Sequence, residues 1–190
     1  PGHIIDLLSR SGLRIIGLRK FAMTVAQAED FYGPVRLKLF ETFKPIAAAR
    51  AEAALAKEFG FPMGDELRTT IGDHLGPICG MQEFEKIIKF MTGFAPGEVT
   101  DQEKDKKGSE NCLALVYRGF SAVEKIRYLL GPTDPDKAQP GSVRREYGHD
   151  IMVNAAHASD SQESTLREMK IVNVQQDSIR EWVEKYYGSK

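Results

Sequence analysis

Residues 2–32 read as a helix, a strand and a second helix in immediate succession, and that order is half of an α+β repeat. "GHIIDLLSRSG" sets Ile4, Ile5, Leu7 and Leu8 at helical spacing and stops at Gly12, a residue suited to the left-handed position that ends helices. "LRIIGLRKFAM" (13–23) is apolar and β-favouring, and reads as a strand. Thr24 then offers a hydroxyl N-cap to a short helix through Tyr32. A repeat of this kind needs another strand first, and that strand is expected ahead of Pro1.

The middle of the chain is of another kind. "KPIAAARAEAALAKEFG" has Pro45 at an expected first turn, an alanine-rich body and Gly60 as a stop, so it reads as a helix. Residues 61–80, punctuated by Gly64, Gly72, Gly76 and Gly80, read as loops around a short helix at "DELRTTIGDHL". "MQEFEKIIKFMTG" reads as a further amphipathic helix. Residues 98–111 are polar, charged and almost free of apolar side chains, which predicts an exposed, mobile loop.

The last third returns to alternation. "CLALVYRG" (112–119) reads as a buried strand, and "FSAVEKIRYLLG" as a helix closed by Gly131. "PTDPDKAQPGSVRREYG" carries three prolines and Gly141, so it reads as an irregular loop. "HDIMVNAAHAS" is expected to supply the last strand. A helix follows Asp160, which pairs with Glu163 in a capping-box pattern, and "DSIREWVEKYY" closes the chain as one more amphipathic helix.

Bulk properties exclude several functions. With 42% hydrophobic and 28% charged residues, the 190-residue chain has the composition of an ordinary globular domain. Its formal net charge of −1 offers nothing basic to a nucleic acid or an anionic membrane. No apolar run approaches the ~20 residues of a membrane span, and the first residues lack a signal peptide's apolar core. Cys79 and Cys112 are too few for a disulfide framework and lack metal-ligand spacing, so reduced thiols in a cytoplasmic protein are expected.

One histidine stands out chemically. His157 sits among Ala155, Ala156 and Ala158, small neighbours that leave space around a titratable ring. The helix that follows aims free backbone N–H groups and the positive end of its dipole at any anion placed before it. Glu168 lies two turns into that helix, within reach of a ring nitrogen, which would orient the imidazole and leave the other nitrogen nucleophilic. Arg127, Thr133 and Arg144 flank the irregular loop, and guanidinium groups suit phosphate oxygens. Read singly, His157 would be a structural or solvated histidine, and Arg127 and Arg144 solvated surface charges. Together they point to an anion pocket with a nucleophilic or acid–base histidine.

"RYLLGPTDP", "PGSVRREY" and "NAAHASDSQESTLREM" resemble the core of nucleoside diphosphate kinases, with matching spacing throughout residues 127–168. Residues 2–32 are similar to that family's first helix, second strand and second helix. The resemblance implies an α+β ferredoxin-like antiparallel sheet with helices, within a single domain over residues 1–190. A mainly helical insertion over 33–82 and an exposed polar loop insertion over 94–110 would elaborate it. It also implies a strand bearing Lys-Pro-Asp ahead of Pro1.

The resemblance assigns His157 as the phosphoryl acceptor, with Ser159 and Glu168 setting its tautomer and orientation. Arg127, Thr133 and Arg144 would hold phosphates and Asn154 would touch the ribose 3′-hydroxyl. Tyr32 would lie near the site and Phe84 under the base, although packing alone would explain both aromatics. Ala158 stands where the family has glycine, which requires a backbone with φ below zero there. The expected activity is transfer of the γ-phosphoryl group from a nucleoside triphosphate to a nucleoside diphosphate. Magnesium (Mg2+) would come with the nucleotide and no residue of the chain is assigned to a metal. Nucleic acid and membrane are not expected partners, and a homo-oligomer is. The rival readings are a nucleotide-binding regulatory module that keeps the pocket without turnover, and an oligomeric scaffold with a vestigial pocket.

Overall fold

Strand β1 (Arg14–Phe21) pairs antiparallel with β2 (Cys112–Arg118), from Arg14 opposite Arg118 to Phe21 opposite Cys112. The ladder slips by one residue between Ile15 and Gly17, a bulge that bends the strand. Gly17 is buried because the chain crosses close above it: a Cβ there would lie 2.5 Å from the Gln175 carbonyl oxygen. This computed structural model describes residues 1–176 and 178–188. They divide into two compact units, Pro1–Phe21 with Cys112–Lys190, and Ala22–Asn111.

In the first unit, helix α1 (Gly2–Arg10) precedes β1. Helix α4 (Ala122–Leu130), a short 3₁₀ turn (Pro135–Lys137), and helices α5 (Val143–Tyr147), α6 (Gln162–Ile171) and α7 (Ser178–Tyr187) follow β2. A core gathers Leu8 of α1, Leu130 of α4 and Val143 of α5, with Ile4, Leu7, Ile126 and Leu129 packed around them. Each such burial contributes roughly 1.5–3 kcal/mol. Ala156 and Ala158 pack against the same cluster, so the loop that carries His157 is seated on the core through its alanines. The small side chains are what let the backbone lie that close. Gly131 ends α4 at φ +81, where Ser142 Oγ would be 2.9 Å from a Cβ.

Two expectations for this unit are corrected. Residues 149–159 form no strand, and the sheet among the described residues has two strands. Local bonds take the place of a ladder. Asp150 Oδ1 accepts from the backbone N–H groups of Met152 and Val153, each at 2.7 Å, and His149 N–H donates to the Val153 carbonyl. Aspartate competes with extended pairing in this way. Helix α6 begins one residue later than expected. Ser161, not Asp160, is its cap, accepting from Ser164 N–H at 3.0 Å, while Asp160 Oδ1 accepts from the Ser164 hydroxyl at 2.6 Å.

The second unit is a helical hairpin. Helix α2 (Val25–Phe59) starts in a capping box in which Thr24 accepts from Gln27 N–H and the Gln27 side chain accepts from Thr24 N–H. It runs through Pro34 and Pro45, where separate helices were expected. Helix α3 (Asp65–Thr92) likewise absorbs the stretch read as loops, Pro77 included. The reason lies in packing. Gly72, Gly76 and Gly80 recur every four residues on one buried face of α3, and α2 lies directly on them. A Cβ at Gly76 would be 2.9 Å from Lys44 Cα, and one at Gly80 would be 2.9 Å from the Phe40 backbone N. Glycines that look like turn formers serve as a contact stripe, and tertiary packing overrides their weak helix propensity.

The polar segment after α3 is also more constrained than its composition suggests. Ala26 N–H donates to the Lys104 carbonyl, Gly108 N–H to that of Met23, and Ser109 N–H to that of Thr92. These backbone bonds pin a segment that has little apolar surface to bury. No helix among the described residues is long and apolar enough to cross a membrane.

Candidate active site

Three elements of the first unit present the histidine. Its loop is anchored by the alanines on either side, which turn into the core while His157 faces outward with 42% of its side chain exposed. Ala155 holds φ +73, and Ala156 N–H closes a tight turn onto the Asn154 carbonyl at 3.0 Å. Left-handed backbone costs an L side chain about 1–2 kcal/mol, so the turn is held by its surroundings. Ala158 is not among the residues with positive φ, so alanine is accommodated there without that strain.

Glu168 of α6 is the hub. Its Oε2 lies 3.0 Å from His157 Nε2 and accepts from the Ser159 hydroxyl at 2.6 Å. Oε1 lies 3.7 Å from Arg167 Nη2. The glutamate is buried at 8% exposure, and a buried carboxyl needs such partners. Because one ring nitrogen faces the carboxylate, the other, Nδ1, faces away from it. His157, Ser159 and Glu168 are thus brought together as expected from the sequence.

The cationic residues are arranged less simply. Arg127 sits exposed in the last turn of α4, and Thr133 is exposed in the loop after Gly131. Arg144, in α5, is half-buried, and its guanidinium is committed to backbone. Nε and Nη2 donate to the Ala156 carbonyl at 3.3 and 2.9 Å, and Nη1 donates to the Gly131 carbonyl at 2.7 Å. Burial, and then the charge of Arg127, hold its pKa below the ordinary arginine value. Two guanidinium groups that disfavour one another present a local excess of positive charge suited to an anion. Asn154 donates from Nδ2 to the Ile151 carbonyl at 2.8 Å, which fixes the entrance to the histidine loop.

Tyr32 and Phe84 belong to the helical unit. The Tyr32 ring is half-buried beside Phe31, 5.0 Å between centroids. Phe84 is 2% exposed, with the Arg36 guanidinium 5.8 Å from its ring centre. A ring enclosed to that degree offers no open face for stacking, so its placement is that of a packing residue. Three features carry no local sequence signal: the left-handed turn at Ala155, the Arg167 contact, and the carbonyl clamp by Arg144. Alanine carries no preference for positive φ, and a side chain's long-range partners do not register in local spacing. Among the described residues no group of three or more His, Cys, Asp or Glu side chains could hold a metal ion.

Comparison with known proteins identifies the family. The nucleoside diphosphate kinase family model matches residues 70–177, more than half of the chain. A nucleoside diphosphate kinase of Streptomyces avermitilis is 41% identical over 110 residues, covering 56% of this chain and 69% of the relative. One from Kosmotoga olearia is 28% identical over 170 residues, or 90% of this chain and 76% of the relative. The crystallised nucleoside diphosphate kinase of Aquifex aeolicus superposes with a TM-score of 0.53 at 24% identity, over 90% of this chain and 82% of that one, and so shares the fold. The chain belongs to the nucleoside diphosphate kinase family.

Proposed function

We propose that the protein moves the γ-phosphoryl group of a nucleoside triphosphate to a nucleoside diphosphate by way of Nδ1 of His157. The observation that carries this reading is the bond between Nε2 and Glu168 at 3.0 Å. With the proton on Nε2 shared with the carboxylate, the lone pair that attacks is the one on Nδ1, the ring nitrogen turned away from Glu168. In the first half-reaction that lone pair attacks the γ-phosphorus and the bond to the β-phosphate oxygen breaks. A nucleoside diphosphate leaves, and the imidazolium charge is shared with Glu168 through Nε2. The second half-reaction is the reverse, with another diphosphate as acceptor.

The remaining residues position and neutralise. Ser159 donates to Glu168 at 2.6 Å and keeps the carboxylate turned toward the ring. Arg127 and Thr133 take phosphate oxygens, and Arg144 adds charge beside Arg127. Asn154 lies at the edge of the turn, where a ribose hydroxyl can reach it. Magnesium (Mg2+) comes with the nucleotide, held by phosphate oxygens and water, and when bound it spreads the negative charge of the phosphates. The helical unit is an elaboration of one kinase domain. Its exposed apolar side chains, such as Leu37 at 64% and Ile78 at 56%, give it surface for assembly with copies of the chain. The cytoplasm is the natural compartment for this chemistry.

Exchange between a triphosphate of one base and a diphosphate of another tests the proposal. The parent chain should exchange, His157→Ala should bind nucleotide with affinity near the parent's and exchange nothing, and Arg127→Ala should raise KM. A parent that binds nucleotide without exchanging it would refute the reading.

A further inference from the structure

Glu168 sits in the last turn of α6, and the last turn of a helix unravels first, because its carbonyls have no partner further along the helix. Here that end is wound tightly. Val172 N–H donates to the Glu168 carbonyl at 3.0 Å, Asn173 takes the left-handed conformation at φ +49, and Val174 N–H turns back to the Met169 carbonyl at 3.0 Å. The carbonyls of Val172 and Asn173, at the close of this turn, both accept from Nη1 of Arg19, the second at 2.9 Å. Arg19 belongs to β1, so the cap comes from the other end of the chain. It also brings a positive charge to the negative end of the helix dipole. The seam continues past the cap: Val172 and Val174 are buried, and Arg118 of β2 donates to the Gln176 side chain at 3.0 Å.

We propose that Arg19 is a positioning residue for phosphoryl transfer: by closing the end of α6 it keeps the Glu168 turn wound and the carboxylate paired with His157 Nε2. The other end of α6 is fixed independently by the Ser161 cap. Loss of Arg19 therefore frees the stretch that carries Glu168 and leaves the start of the helix in place. The role asks for a positive group with more than one N–H, since the two carbonyls are adjacent along the chain. A lysine ammonium meets that need, whereas methionine keeps the length of the stem and removes every donor.

This inference rests on the kinase reading for its activity measurements but not for its structural one. The structural measurement is the ¹⁵N NMR signature of the His157 ring in the nucleotide-free full chain. The parent and Arg19→Lys should show one dominant tautomer with the proton on Nε2. Arg19→Met should show a mixture of tautomers, while His3, His74 and His149 are unchanged. If Arg19→Met fails to fold, Arg19→Gln, which is polar but too short to reach the carbonyls, takes its place. A His157 spectrum identical in the parent and the folded variant would overturn the proposal, whatever the enzyme does.

The kinetic measurement is single-turnover phosphorylation of the chain over a range of nucleoside triphosphate concentrations. Arg19→Met should lose about tenfold in maximal rate with half-saturation within about twofold of the parent, and Arg19→Lys should stay within about threefold on both. A double-mutant cycle then asks whether Arg19 works through Glu168. In a Glu168→Gln chain, Arg19→Met should cost less than about a further twofold, because the carboxylate it serves is already gone. Equal losses in the two backgrounds, or a loss in half-saturation alone, would overturn the proposal. A parent that fails to become phosphorylated refutes the kinase reading and leaves the NMR result to decide the role of Arg19.

Discussion

His157 and Ser159 converge on a single oxygen of Glu168, one across 3.0 Å and the other across 2.6 Å. The two donors sit on one loop and their acceptor on the next helix, so one buried carboxylate orients the histidine and ties its loop to α6. Charge-assisted bonds of this type contribute roughly 1.5–3 kcal/mol each. Glu168→Gln retains the shape but can no longer accept at full strength from both. Its maximal exchange rate should fall by about one to two powers of ten, since each tenfold corresponds to about 1.4 kcal/mol. Nucleotide affinity should change little. Steady-state exchange with varied triphosphate checks this, and a change confined to KM would contradict it.

The glycine stripe of α3 predicts a reversal of the usual rule. In an open helix, alanine in place of glycine gains about 0.5–1 kcal/mol. Gly33, in α2 with nothing within 4 Å of an added Cβ, should follow that rule and stabilise the chain. Gly76→Ala should instead cost about 1–3 kcal/mol, because the new Cβ would meet the Lys44 backbone at 2.9 Å. Urea denaturation midpoints of both variants decide it. Parallel gains at the two sites would refute the close helix packing.

Gly17 should be equally intolerant for a different reason. Its Cβ would face a carbonyl oxygen of the segment crossing β1, and backbone oxygen yields less readily than a side chain. Gly17→Ala should lower the unfolding midpoint by an amount equivalent to about 1–3 kcal/mol. An unchanged midpoint would mean that this crossing is looser than the structure places it.

Tyr117 of β2 packs against the core cluster, and burial pushes its phenol above the usual value, with the Ser9 hydroxyl pulling weakly the other way. A raised folded pKa means that the neutral phenol is the form the fold favours. Its contribution is fully present below the unfolded value of about 10 and is lost as pH rises through the folded value. Stability should therefore fall on the alkaline side. Tyr117→Phe should flatten that limb in denaturation midpoints measured from about pH 8 to 11, and identical limbs would contradict the assignment.

Much of the site was legible because it is local. His157, Ser159 and Glu168 lie within twelve residues, close enough that helix geometry alone brings the carboxylate back to the ring. Strands β1 and β2 and the closing glycines of α1 and α4 were legible for the same reason. What could not be read depends on distant partners. Pro34, Pro45 and Pro77 each argue locally for a break, and only the packing of α2 on α3 carries the helices through them. Residues 149–159 have strand-like composition, yet extended backbone needs a neighbour to pair with. Here the Asp150 side chain and the turn at Ala155 take the bonds a ladder would have used. The partners of Arg144 were invisible because Gly131 and Ala156 meet only in three dimensions.

Transfer by this route requires a covalent bond between phosphorus and Nδ1 of His157. The most direct test is to incubate the full chain with γ-labelled ATP and magnesium, then follow the label through acid, base and peptide mapping. The label should be stable in base and lost in acid, confined to the peptide that contains His157, and absent from His157→Ala. Label that survives acid, maps to a serine or threonine, or persists in His157→Ala would contradict it.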